Sequence, residues 1–262
     1  MGDGLKKQLL KTMQRFCADL HVHTVLSPCA AVEMIPPLIV QTALEHAIQI
    51  IAITDHNASA NVTSVVEAAA GYNLTVLPGM EMQTLEEVHV LCLFDDLDQL
   101  KSCQNLVDAH LPQRINNPDY FGEQYIVDHT GEFIAHEERL LLNSVQLSIE
   151  DCVREIHEIG GLAIPAHVNR QANGLFAMLG IIPAGLPVEA LEISRHISLA
   201  QARNTYPQLG HYPVIQNGDV HHLDGFLGST HFWIEAPTIS EIRQALRQEN
   251  GRRMEIFEYQ SA

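Results

Sequence analysis

The sequence predicts an α/β fold: a largely parallel sheet covered by helices and curled into a barrel. Three observations predict it. Short β-branched runs alternate with helical segments along most of the 262 residues. About seven such units can be counted, one short of a standard α/β barrel. Side chains capable of chemistry also follow the apolar runs, where parallel α/β folds gather their sites.

Taken in order, the apolar run "CADLHVHT" leads to two histidines at a strand end. "PPLIVQTALEHA" (36–47) opens with prolines suited to a helix N-terminus and carries apolar residues at helical spacing. "IQIIAIT" (48–54) reads as a buried strand, 59–72 as a helix stopping near Gly71, and "LTVLP" (74–78) as a strand. "EVHVLCLF" (87–94) is a further strand, with a helix over 96–110. "SIEDCVREIHEIGG" (148–161) has a capping start at Ser148 and Asp151 and a glycine stop. Strands are expected at 162–166, 188–193, 213–217 and 231–236, and a last helix at 238–250. Residues 113–147 break the rhythm and read as a β-hairpin insertion about His129-Thr130-Gly131, near the barrel mouth. The chain is therefore expected to be one domain over 1–262.

Composition narrows the function. Apolar residues make up 46% and charged residues 18%, as in ordinary globular proteins. No apolar stretch is long enough to cross a bilayer, and charge interrupts residues 1–16 where a secretory segment would be apolar. Five cysteines without a C-x-x-C pair read as reduced thiols, so the expected location is the cytoplasm, with no membrane partner. A net charge of −17 argues against extended nucleic acid as a partner. The 15 histidines equal the lysines and arginines together, which hints at metal chemistry.

The acids and imidazoles at strand ends are specific. They are His21 and His23, Asp55 and His56, Glu81, His167 with Arg170, and Asp219 with His221 and His222; His89 lies within its strand. Residues i and i+2 on a strand share a face, so His21 and His23 can address one target. Imidazole and carboxylate are the usual ligands of Zn, Mn and Fe(II), and a carboxylate such as Glu81 can bridge two ions. Each motif alone has a plain structural reading: H-x-H is incidental more often than not, "TDH" fits a turn and "PGME" another. Five strand ends carrying such groups together favour metal. Residues 46, 110, 129, 136, 157, 196, 211 and 231 are histidines without a telling partner.

The ordered set "DLHVHT", "TDHN", "PGME", "PAH" and "GDVHH" resembles the PHP (polymerase and histidinol phosphatase) family of metal-dependent phosphoesterases. The resemblance implies a distorted (β/α)7 TIM-like barrel holding two or three divalent ions (Mn, Fe or Zn). By the same resemblance, His21, His23, Glu81 and Asp219 hold one ion, Glu81, His89 and His167 a second, and His56 with His221 a third. Where the family commonly places an acid for that third ion, this chain has Pro28, with Cys29 and Glu33 as the nearest substitutes. The expected substrate is a small phosphorylated metabolite or nucleotide, attacked by a metal-activated water. Asp55 is expected to orient a ligand, Arg170 (with Arg195 second) to bind the phosphoryl group, and His222 to protonate the leaving oxygen. Hydrolysis of a C–N or carbonyl bond and a non-catalytic metal-dependent binding module are the competing readings.

Overall fold

The computed structural model describes residues 12–257; the expectation for the amino-terminal segment falls mostly on residues outside that range. The first strand, β1 (Gln14–Val22), runs into complete burial over its carboxyl half. After α1 (Pro36–Glu45), which starts on its two prolines, β2 (Ile50–Ile53) is buried on both faces, as expected of an inner parallel strand. Next come α2 (Val62–Ala68), β3 (Thr75–Gln83) and β4 (His89–Leu93), then α3 (Leu97–His110), capped by the Asp96 side chain accepting from the Gln99 N–H.

The short α4 (Pro118–Phe121) precedes the pair β5 (Tyr125–Val127) and β6 (Phe133–His136), the antiparallel hairpin read from the sequence. Asp128 accepts from the N–H groups of Thr130 and Glu132 at its turn. Then follow α5 (Ile149–Ile159), capped by Ser148 and stopped by Gly160 at φ 94°, and β7 (Leu162–Pro165). The remaining elements are α6 (Leu175–Leu179), β8 (Leu191–Ile193), α7 (Leu199–Thr205), β9 (Val214–Gln216), β10 (Thr230–Ile234), α8 (Ile239–Arg247) and β11 (Arg253–Ile256).

Seven strands form one curled sheet in the order β11-β10-β1-β2-β3-β4-β7. Strands β1, β2 and β3 are parallel, as the alternation predicts. Two departures from a parallel sheet stand out. Strand β4 runs antiparallel to both β3 and β7, because the 84–88 connection is too short to house a crossover helix and forms a hairpin instead. Strand β10 adds antiparallel to the amino half of β1, and β11 pairs antiparallel with β10 at the sheet edge. The parallel pair β8–β9 links to both sides: Val168 N–H donates to Glu192 O at 2.8 Å beyond β7, and Val220 N–H to His21 O at 2.9 Å beyond β9.

Burial falls into two apolar clusters, as a curled sheet requires. One fills the concave side with Ala18, Leu20, Ile50, Ala52, Leu77, Leu91, Leu162, Ile164 and Ile215, joined by Ile239, Ile242 and Leu246 of α8. The other lies between sheet and helices and includes Val22, Ile51, Ile53, Met80 and Cys92. Ile50 and Ala52 face inward and Ile51 and Ile53 outward, the period of two expected of a strand. Among the described residues no helix is long and apolar enough to cross a membrane.

Candidate metal centre

A bulge in β1 aims the first two histidines. Opposite β2, Asp19 pairs with Ile51 and Val22 with Ile53, so β1 spends one extra residue between these points. Ala18 and Leu20 face the inner cluster while Val22 faces the outer one, so the strict alternation is broken. His21 and His23 therefore share the inner face, with Nε2 atoms 3.1 Å apart and both rings fully buried.

Glu81, at 1% exposure, is the hub of the site. Its Oε1 lies 3.2 Å from His21 Nε2, 2.8 Å from His89 Nδ1 and 3.1 Å from His167 Nε2. Its Oε2 lies 3.4 Å from His23 Nε2 and 3.0 Å from His56 Nδ1. Asp219 Oδ1 stands 3.3 Å from His21 Nε2, 3.5 Å from His23 Nε2 and 3.4 Å from His221 Nδ1. All eight side chains expected from the sequence to ligate metal converge here. His89 reaches the site because β4 runs backwards, which puts its first residue at the carboxyl ends of β1 and β3. His167 (φ 26°) and Asp219 (φ 49°) sit in the left-handed region, a local cost of about 1 kcal/mol each. Beside them, a Cβ on Gly218 would stand 2.4 Å from Gly225 O, so only glycine fits that turn.

The surrounding groups set which imidazole nitrogen is free. His21 Nδ1–H donates to Glu192 at 3.1 Å, and Glu192 also accepts from the His167 N–H at 2.8 Å and Asn217 Nδ2 at 2.7 Å. Ser27 Oγ donates to Asp55 at 2.7 Å and so accepts from His23 Nδ1–H at 2.9 Å. His221 Nδ1–H donates to the Asp219 carbonyl at 2.9 Å. In these three histidines the Nε2 lone pair is left facing the cluster, the arrangement that metal-binding histidines require.

Electrostatics point the same way. Burial pushes the Glu81 carboxyl up, but His89, His21 and His56 outweigh it and hold Glu81 well below the usual carboxylate range. Burial similarly opposes ionisation of Asp219, and His21 and His23 overcome it. Burial keeps His23 well below the ordinary imidazole value and brings His89 down to about 4, so both are neutral donors. His21 is raised against its burial by Glu192, Glu81 and Asp219. Burial opposes ionisation of the Cys29 thiol, but His56 and His221 bring it down to about 6.

The donor set fits divalent cations. Four groups of three side chains have ligand atoms within 4.8 Å of one another: His21-His23-Asp219, His21-Glu81-His167, His56-Glu81-His89 and His23-His56-His221. His56 Nδ1, Glu81 Oε2, His89 Nε2, His167 Nδ1 and Asp219 Oδ1 are buried without a hydrogen-bond partner, which is costly unless something else satisfies them.

The other expected residues are placed less centrally. Asp55 does not face the hub; it is fully buried and accepts from the Thr24 N–H and hydroxyl at 2.7 Å and from Ser27, reaching His23 only through Ser27. Arg170 pairs with Asp219 Oδ2. Arg195 donates to Gly225 O at 2.6 Å. His222 is exposed on the wall of a cavity of about 780 Å³ also lined by Arg170, Arg195, His196, Asp219 and His221. A second opening of about 390 Å³ reaches His56, Glu81, His89 and His167 and is bordered by Leu142 from the 113–147 segment.

Sequence reading missed Glu192, Ser27 and Asn217, which hold the ligands in place. Glu192 had a usable signal, as a charged residue inside the apolar run "LEI" that forms a fully buried strand. His196, set aside in the sequence, lines the larger cavity.

The sequence model of the PHP domain matches residues 19–164, more than half of the chain. No curated protein sequence matches it. Among solved structures, the lesion-specific endonuclease PfuEndoQ of Pyrococcus furiosus is similar with a TM-score of 0.70 and 18% identity, covering 92% of this chain and 58% of that one. An endonuclease Q complex with a 27-mer duplex carrying an abasic lesion at the active site gives 0.65 and 17%, again over 92% and 58%. This chain thus spans under two thirds of those proteins. A proposed metal-dependent phosphoesterase from Bifidobacterium adolescentis gives 0.54 and 17%, over 88% and 96%. Endonuclease Q, which shares this fold over 58% of its length, is itself seen with a DNA duplex, so the likeness gives no support to the expectation that excluded extended nucleic acid.

Proposed function

The chain belongs to the PHP domain family, and from that premise we propose that it is a metal-dependent phosphoesterase acting on a small phosphorylated metabolite or nucleotide. The observation that carries this reading is the buried Glu81 carboxylate with five imidazoles within 3.4 Å of it. We read the curled sheet as a distorted (β/α)7 barrel forming one domain, with 113–147 as an insertion bordering the mouth, and we place the protein in the cytoplasm.

In this reading His21, His23, Glu81 and Asp219 hold one divalent ion, Glu81, His89 and His167 a second, and His56 with His221 belong to a third, Mn, Fe or Zn being the candidates. Bound cations supply acidification of water and neutralisation of phosphoryl charge. The chain's own groups do the rest. The planar guanidinium of Arg170, hinged on Asp219 at the cavity wall, binds phosphoryl oxygens, with Arg195 across the same cavity. His222 gives its proton to the leaving oxygen. Asp55 acts as a positioning residue, since it holds Ser27 and thereby the His23 ring.

The cavity of about 780 Å³ matches small-molecule sites, and the −17 charge disfavours a polyanion. A second reading, cleavage of damaged duplex DNA, is favoured by the likeness to endonuclease Q. An assay with Mn, Fe or Zn against small phosphate esters and against a duplex with an abasic site separates the two. Turnover of small esters supports the first reading, and cleavage of the duplex alone replaces it with the second. His23→Ala is expected to lower turnover by about 100-fold or more; unchanged turnover ends the catalytic assignment.

A further inference from the structure

The rim of the site contains a sulfur donor. Pro28 has no donor in its side chain, and Glu33 is exposed. Cys29, between them, places Sγ 3.1 Å from His221 Nε2. His56 is 5% exposed, and the ligand nitrogens of His23, His56 and His221 cluster within 4.8 Å. Because Ser27 orients His23 toward His21 and Asp219, the donors left for an outermost ion are His56, His221 and Cys29. Zn–N and Zn–S bonds of about 2.0 and 2.3 Å put tetrahedral donor pairs about 3.3–3.6 Å apart, so a small opening of the Cys29–His221 contact admits an ion.

Resting on the metal-centre reading above, we propose that Cys29, His56 and His221 form a nitrogen–sulfur site for a zinc-class cation, distinct in preference from the mixed imidazole–carboxylate positions around Glu81 and Asp219. On binding, the Cys29 S–H bond breaks, its proton leaves to solvent and the sulfur electron pair is donated to the cation. A thiolate selects zinc, cobalt or iron over manganese and magnesium, so the chain takes different metals at its inner and outer positions.

Cobalt titration of the metal-free full chain tests this. The expected result is a near-ultraviolet thiolate-to-cobalt band in the wild type, lost in both Cys29→Ser and Cys29→Asp. Cys29→Ser is also expected to hold one ion fewer per chain. Cys29→Asp should retain the ion while shifting competition toward manganese by about tenfold. Alkylation gives a second readout, since Cys29 is exposed and the other four cysteines are buried; zinc should protect it. Cobalt bound without the band, a band that survives in Cys29→Ser, or alkylation indifferent to zinc overturns the proposal while leaving the inner site standing. Failure to bind any ion overturns both.

Discussion

At the scale of single residues, the site depends as much on what stands behind the ligands as on the ligands. Glu192 touches His21, the His167 backbone and Asn217 at once, so one carboxylate fixes a ring, a strand end and a neighbouring amide. Glu192→Gln keeps the shape but replaces one acceptor oxygen with a donor, which confronts the His21 Nδ1–H. Metal affinity is expected to fall about 10–100-fold, read by competitive chelator titration, with the fold retained by circular dichroism. Ser27→Ala is expected to act in the same direction through His23, since Ser27 joins that ring to Asp55. Affinity unchanged in both variants would remove the assigned orienting role.

Among the elements, Glu189 just before β8 is a polar anchor between helices and sheet that can be tested by pH. It accepts from His157 of α5 at 3.0 Å and from Arg243 of α8, which also donates to Gly161 O at 2.9 Å. Burial raises the Glu189 carboxyl, but these two donors outweigh it and hold it below the ordinary glutamate value. A depressed carboxyl contributes stability that is complete above its unfolded-state value and is lost as pH falls through the folded-state value. Glu189→Gln is therefore expected to cost about 1 kcal/mol at neutral pH. The difference from wild type should close as pH drops below the usual glutamate range, measured by denaturant unfolding across pH. A gap independent of pH would mean that packing, not charge, is what Glu189 supplies. A simpler test is Ser148→Ala, where loss of the α5 cap is expected to cost about 1 kcal/mol.

For the whole molecule, the buried unpartnered atoms around Glu81 make cation binding a component of stability, because ligands that bind only the native state stabilise it by mass action. Exhaustive chelation is expected to lower the unfolding midpoint by about 5–10 °C, for ions present at roughly a hundred times their dissociation constant. A midpoint indifferent to chelation and re-addition would show that the cluster holds no ion. The sequence alone determined the alternation of β1, α1, β2, α2 and β3, the α5 cap and seven of the eight ligand candidates, because apolar period, capping chemistry and strand-end position are local properties of the chain; His89, within its run, was singled out only by the family resemblance. It did not reveal the reversed β4, the short α6 and α7, or Glu192, though the Ser198–Gln201 box that caps α7 was there to be read. Only the tertiary structure decided that an extra residue between Asp19 and Val22 turns His21 and His23 inward, and that Cys29 rather than Glu33 meets His221. Those outcomes depend on pairing register between strands and on which loop packs beside which, and neither is encoded in any single stretch of residues.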